Sequence, residues 1–396
     1  MTRVAFAVPG DLRTRTGGYG YARELIAHLP AHGIAIRHCA LPGSFPLPPP
    51  ADLDAAFRAL SARAADEILL IDGLAFGALP AARIAALGRR IVALVHHPLG
   101  FETGLDAPTR RALIDSERAA LAHAAHVVVS SETTREALAA EFDVDKDNIT
   151  VAEPGTRPAI TRPLPAYEGR PQLSAVMPGL VPGIHAEPPA PSSKDLHGRT
   201  AWMAGTSPAM TRPIRLLAVG SITPRKGFDV LIAALAPLRD RDWRLRIVGS
   251  PDRAPETAAA LRVQIAACGL ADRVDLVGEL DTEPLDAEYA AADLFVLASH
   301  YEGYGMVLAE AMAHGLPIVT TTGGAAASTV PDAAALKVPP GDSNRLGEAL
   351  IRAIDEPDLR RELAAASRRA GALLPRWSDT AGIVANVLHR VARLTP

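Results

Sequence analysis

The chain reads as two doubly wound α/β domains facing each other across a cleft, each a parallel sheet with helices on both faces. Three observations lead there. At 396 residues it is about twice the length of a common single domain. Its apolar segments are short and continuous, and they alternate with stretches of helical period. That alternation runs twice, with a proline-rich stretch between the two runs.

In the first run, Val4–Val8 is a buried strand that leads into the glycine loop Gly17-Gly18-Tyr19-Gly20. A helix follows, with Leu25 and Leu29 on one face, and closes at His32-Gly33. Ile34-Ala35-Ile36 opens the next strand. Ile68–Ile71 ends at Asp72-Gly73, Ile91–Val95 at His96-His97-Pro98, and Val127–Val129 at Ser130-Ser131. In the second run, Leu216–Val219 ends at Gly220, and a helix passes through Val230-Leu231 to Leu235. Leu245–Val248 ends at Gly249-Ser250, Val274–Val277 at Gly278, Leu294–Leu297 at Ala298-Ser299-His300, and Pro317–Val319 at the loop Thr320–Gly324. Doubly wound sheets bind ligands at the carboxyl ends of their strands, so these loops are where a site is expected. The expected domains are 1–160 and 213–377, with 161–212 as an inserted linker.

Composition narrows the function. Lys plus Arg number 41 against 44 Asp plus Glu, a net charge of −3, which argues against nucleic acid as the main partner. Cys39 and Cys268 are the only cysteines, so neither a disulfide framework nor a cysteine-rich metal site is expected, in keeping with a cytoplasmic location. No apolar run is long enough for a transmembrane helix. Up to residue 159 there are 16 basic and 18 acidic residues; no basic face is evident, which leaves peripheral membrane contact open. Lysine is scarce, at positions 146, 194, 226 and 337 only, so a lysine inside a motif carries weight.

The richest segment is Glu302-Gly-Tyr-Gly-Met-Val-Leu-Ala-Glu310, followed by Ala311–Gly315 and Pro317. Gly303 and Gly305 let backbone amides approach a ligand. A helix opening near Met306 presents free N–H groups and a positive dipole end to an anion. Glu302 precedes that helix and Glu310 lies within it, so the two carboxylates can reach opposite ends of an extended, hydroxyl-bearing ligand. Asp143-Val-Asp145 and Asp145-Lys-Asp147 read as a solvated acidic turn, and His123 and His126 lack partners with metal-ligand spacing, so no metal site is expected.

This segment resembles the signature of the retaining GT-B glycosyltransferases of family 4, and the resemblance extends over most of the chain outside 161–212. Gly220-Ser-Ile-Thr-Pro-Arg225-Lys226-Gly227-Phe-Asp-Val-Leu is similar to that family's donor-phosphate loop. The resemblance implies that Lys226, with Arg225, neutralises a nucleotide diphosphate. Ser221 departs from the family's usual arginine, so Arg225 is the candidate for the second charge. It further implies that Glu310 binds the ribose hydroxyls and Glu302 the donor sugar, with Gly303, Tyr304, Gly305, Met306 and Val307 along sugar and phosphates. Gly17 and Gly18 match the glycine pair facing the diphosphate, and Gly323-Gly324 a further phosphate-side loop. His96 matches the strand-end histidine that contacts the transferred sugar. His97 and Glu102 are acceptor-side candidates. The Trp377 region and the final helix resemble a crossover by which 378–396 completes the first domain. Residues 161–212 carry nine prolines and no apolar period, and are expected to be disordered. Back-translated, Met177–Ile184 read on the opposite strand resembles Met203–Met210, like a translated palindromic repeat element.

The expected activity is therefore transfer of a sugar, with retention and without metal or cofactor, from a UDP-, GDP- or similar nucleotide sugar to an unidentified acceptor. Catalysis rests on His96, Lys226 and Glu302. The alternatives are a non-catalytic nucleotide-sugar-binding homologue, or an epimerase or hydrolase on the same fold.

Overall fold

The computed structural model describes residues 1–157 and 212–394. The expected linker and its disorder lie, but for Arg212, outside the described residues.

Two six-stranded sheets, all of whose strand pairs are parallel, form the frame. The first contains β1 (Thr2–Pro9), β2 (Ile34–Leu41), β3 (Ile68–Asp72), β4 (Ile91–Val95), β5 (His126–Val129) and β6 (Ile149–Val151), in the order β2-β1-β3-β4-β5-β6. The second contains β7 (Ile214–Val219), β8 (Trp243–Val248), β9 (Val274–Gly278), β10 (Leu294–Leu297), β11 (Ile318–Thr321) and β12 (Ala335–Val338), in the order β12-β11-β10-β7-β8-β9. The central strands β3, β4 and β10 are buried at every position, because helices cover both faces, and this is why they read as unbroken apolar runs.

Two readings of the sequence need correction. Gly17-Gly18-Tyr19-Gly20 is not a loop: it forms the first turn of the helix Gly17–His28, with Thr16 at the N-cap. Two glycines weaken a helix interior, but at its N-terminus they leave the backbone N–H groups uncovered. The strand β12 escaped the apolar pattern because its four residues include Lys337 and it lies at the sheet edge.

The strand orders locate the ligand crevices. In the first sheet the direction of winding reverses between β1 and β3, and in the second between β7 and β10. The loops after these strands flank an open crevice. They carry Gly17-Gly18 and Asp72 on one side, and Arg225-Lys226 and Glu302 on the other.

The C-terminal helix Trp377–Ala392 packs with the helix Gly17–His28 on the first sheet, in a core that includes Phe6, Val8, Leu25, Val384 and Leu388. Polar contacts fix its position. Thr380 Oγ1 donates to Glu153 O at 2.7 Å, and His389 Nε2 lies 3.0 Å from His32 O. Trp377 meets Tyr21 edge to face, with ring centroids 5.4 Å apart. No helix among the described residues is long and apolar enough to cross a membrane.

Candidate active site

The site begins with a turn that only glycine permits. After β7, Pro224–Lys226 forms a 3-10 turn that ends at Gly227, whose φ is +61°. A Cβ on Gly227 would stand 2.2 Å from Ala298 O, so the turn is pressed onto the end of β10. Arg225 and Lys226 therefore arrive beside the residues that follow β10. Lys226 Nζ donates to Glu302 Oε1 at 2.6 Å. Arg225 Nη1 donates to Tyr301 O at 2.7 Å and to Glu302 Oε2 at 3.4 Å. Ser299 Oγ donates to Glu302 Oε1 at 2.6 Å.

Glu302 is 5% exposed. Burial pushes its carboxyl up, but Lys226 and Arg225 together outweigh that and hold it down at about 2. Burial lowers Lys226, and Glu302 opposes it. The backbone of Glu302 is braced by the glycine pair after β11: Glu302 N donates to Gly323 O at 3.1 Å, and Ala325 N to Glu302 O at 2.8 Å. Gly323-Gly324 thus supports the carboxylate loop.

Glu310 belongs to a separate cluster. It sits in the helix Met306–Ala313, whose N-cap Gly305 has φ +89°. Tyr289 Oη donates to Glu310 Oε2 at 2.7 Å, and the Tyr289 ring stacks on His314. Burial pushes the Glu310 carboxyl up to about 7, and the Tyr289 hydrogen bond opposes this.

The first sheet meets this surface directly. A Cβ on Gly303 would stand 2.1 Å from His96 O, so Gly303 lies flat against the end of β4. Thr134 Oγ1 donates to Gly303 O at 3.4 Å. A Cβ on Gly17 would be 3.3 Å from Met306 Sδ, and one on Gly18 would be 3.2 Å from His96 Cδ2. A chain of polar groups links the halves: His97 Nε2 lies 3.4 Å from Glu102, Glu102 lies 3.2 Å from Arg225, and Arg225 reaches Glu302. Burial pushes His96 down to about 4, and His97 adds to the effect.

Of the sequence candidates, the structure gathers Gly17, Gly18, His96, His97, Glu102, Arg225, Lys226, Glu302, Gly303 and Met306. Glu310 stands apart with Tyr289, and Tyr304 is buried with its carbonyl accepting from Thr329 Oγ1 at 2.5 Å. Val307 O faces the Tyr289 hydroxyl at 3.4 Å. Sequence reasoning took Lys226 and Glu302 as separate ligand contacts, whereas here they are an ion pair. It missed Tyr289 and Ser299, which no motif marks. It also missed Asp72, although this carboxylate ends a strand, where a site is expected, whereas His96 was singled out by the family resemblance. Glu117 was missed too. It is buried, accepts from Leu99 N at 2.8 Å under the loop carrying His97 and Glu102, and is pushed up to about 8 by burial.

Residues 5–155 match the glycosyl transferase 4-like domain, and residues 206–370 match the family described as glycosyl transferases group 1. The architecture is the GT-B fold, and the two matches fall one on each half. D-inositol 3-phosphate glycosyltransferase of Jonesia denitrificans is 28% identical over 291 residues, covering 72% of this chain and 61% of that one. The GDP-mannose-dependent monoacylated alpha-(1-6)-phosphatidylinositol monomannoside mannosyltransferase of Corynebacterium glutamicum is 30% identical, covering 52% and 53%. In sequence the chain spans about half the length of such relatives. Among solved structures, sucrose-phosphate synthase of Thermosynechococcus elongatus has a TM-score of 0.73 at 20% identity, covering 98% of this chain and 99% of that one. Anabaena HepE in complex with UDP-glucose has a TM-score of 0.70 at 16% identity, covering 98% and 100%.

Proposed function

We propose that this protein is a retaining glycosyltransferase that moves a sugar from a nucleotide-diphosphate sugar to a hydroxyl-bearing acceptor without a metal ion. One observation carries the reading. Two cations, Arg225 and Lys226, stand at the crevice of the second sheet on Glu302, which precedes the helix Met306–Ala313 and whose neighbour Gly303 lies against His96 of the first sheet. Such a group is suited to a leaving diphosphate, whose developing charge needs fixed positive partners. The relatives support the same class: one is named for its dependence on GDP-mannose, and HepE was solved with UDP-glucose.

In this reading the C1–O bond to the diphosphate breaks while the acceptor oxygen bonds C1 from the same face. The acceptor proton passes to the departing phosphate. Lys226 and Arg225 stabilise that phosphate, and the backbone amides from Gly303 to Val307 line sugar and phosphates. Glu302 holds the donor sugar, Glu310 the ribose hydroxyls, and His96 the transferred sugar. Gly17 and Gly18 face the diphosphate, while His97 and Glu102 face the acceptor. A diphosphate entering the site competes with Glu302 for Lys226, which frees the carboxylate for the sugar. Contact between the halves excludes water and limits hydrolysis.

A thermal-shift screen with UDP, GDP, ADP and dTDP sugars identifies the donor, since a ligand that binds only the folded state raises apparent stability. Turnover with that donor in EDTA, and the anomeric configuration of the product, then test the mechanism. Retention and insensitivity to EDTA are expected. An inverted product, or loss of transfer that one divalent ion restores, overturns the corresponding part.

A further inference from the structure

Asp72 is a carboxylate that the mechanism above leaves unused. It ends β3, at the reversal of winding in the first sheet, and pairs in register with Leu94 of β4. One oxygen is committed: Oδ1 accepts from Leu74 N at 2.9 Å and caps the short helix Gly73–Phe76. The other, Oδ2, lies 3.7 Å from His96 Nε2. That nitrogen is buried and has no hydrogen-bond partner among the described residues. The ring is held in place on other sides: Tyr21 meets it edge to face at 5.1 Å, and Gly18 leaves no room for a Cβ, which would come within 3.2 Å of Cδ2 and 3.4 Å of Nε2.

We infer that Asp72 is a positioning residue for His96, its carboxylate fixing the hydrogen on Nε2 and leaving Nδ1 as the nitrogen that accepts from a substrate hydroxyl. The physical reason is local. A bare Nε2 lone pair turned toward a carboxylate oxygen, in a buried place with no donor between them, is repulsive. An Nε2–H in the same place is attractive, and in a neutral imidazole that choice leaves the other nitrogen an acceptor.

The charge states agree. Burial pushes Asp72 up to about 6 and His96 down to about 4, so near neutral pH the carboxyl is ionised and the imidazole neutral. Tyr19, whose hydroxyl donates to Pro9 O, faces Asp72 from the helix Gly17–His28, with Asp11 and Arg253 beyond it. His97 is the titratable neighbour of His96 in the chain and lowers it further. As pH falls through about 6, Asp72 gains a proton and its hold on the tautomer is lost. The role of Nδ1 toward a substrate hydroxyl rests on the proposed transferase reading; the tautomer does not.

The tautomer is therefore tested first, in the free protein. The ring nitrogen shifts of His96, assigned by comparison with His96→Gln, should report the Nε2–H form near neutral pH and lose it in the acid step of Asp72. The Nδ1–H form, or a tautomer mixture indifferent to pH, overturns the inference whatever the protein catalyses. Asp72→Asn keeps the helix cap but can turn a donor toward Nε2. It should lower turnover by roughly tenfold or more and remove the acid limb of the rate profile. Its affinity for the bare nucleoside diphosphate should stay that of the parent. Unchanged turnover and acid limb in that variant overturn the inference. If neither parent nor variant transfers any sugar, the function reading fails while the tautomer measurement still decides this one.

Discussion

At the scale of single residues, the site is governed by how its charges are paired. Buried Glu302 and half-buried Lys226 form a pair 2.6 Å apart, so neither can be removed without stranding the other. Lys226→Ala is expected to lower kcat/KM for the donor by about 2–4 kcal/mol in transition-state terms. Steady-state kinetics against the hydrolysis background measure this, and an unchanged value removes Lys226 from the leaving group. Glu310 has the opposite character, with its carboxyl pushed up to about 7 by burial. Accepting two ribose hydroxyls favours its ionised form, so binding releases a proton and tightens as pH rises through about 7. Calorimetry with the nucleoside diphosphate on either side of that pH should show this trend in the parent and a flat response in Glu310→Gln. A parent whose affinity ignores pH takes Glu310 out of the nucleotide site. The residue types at Lys226, Glu302 and Glu310 were legible in the sequence because their spacing is a local pattern. The pairing of Lys226 with Glu302 was not, because it joins two loops 76 positions apart.

At the scale of elements, short loops position the chemistry because glycine lets backbone touch backbone. Gly303 is the case that joins the two halves, with His96 O lying 2.1 Å from where a Cβ would be. Gly303→Ala must part the two loops, an overpacking that costs about 1–3 kcal/mol and moves Glu302 away from His96. Turnover is expected to drop while nucleoside diphosphate binding persists, because the cations lie on the other side of Glu302. Activity equal to the parent would mean that the halves do not approach this closely during the reaction. The sequence predicted a helix opening near Met306, and that helix runs Met306–Ala313. It misread Gly17-Gly18 as a loop, because glycine is a turn signal in isolation. Here a buried stripe of Tyr21, Ala22 and Leu25 extends the helix back through both.

At the scale of the whole molecule, the chain crosses back on itself. The helix Trp377–Ala392 follows the second sheet in sequence but contributes Val384, Leu388 and Val391 to the core of the first. Leu388 is fully buried there. Leu388→Ala is expected to destabilise the protein by about 2–5 kcal/mol, from lost transfer free energy and an unfilled cavity. If the halves melt separately in calorimetry, the transition of the N-terminal half should move, although the mutation lies at the far end of the chain. A shift confined to the C-terminal half would contradict the packing. Glu102 and Arg225 add a charged contact between the halves, 3.2 Å apart.

What the sequence by itself determined is what local pattern encodes. Apolar runs of four to six residues between helical stretches specify strands buried on both faces, as in β3, β4 and β10. The Glu-x7-Glu segment and the Arg225-Lys226 loop stand out as local patterns at strand ends, where a site is expected. Only the tertiary structure decided which groups face one another. Strand order places Asp72 beside His96 and Lys226 beside Glu302, because parallel neighbours end at the same edge of a sheet however far apart they lie in the chain. Burial then sets the charges: a carboxyl beside two cations is held at about 2, while one beside a tyrosine rises to about 7. The two glutamates are identical in sequence, and their surroundings make them different acids.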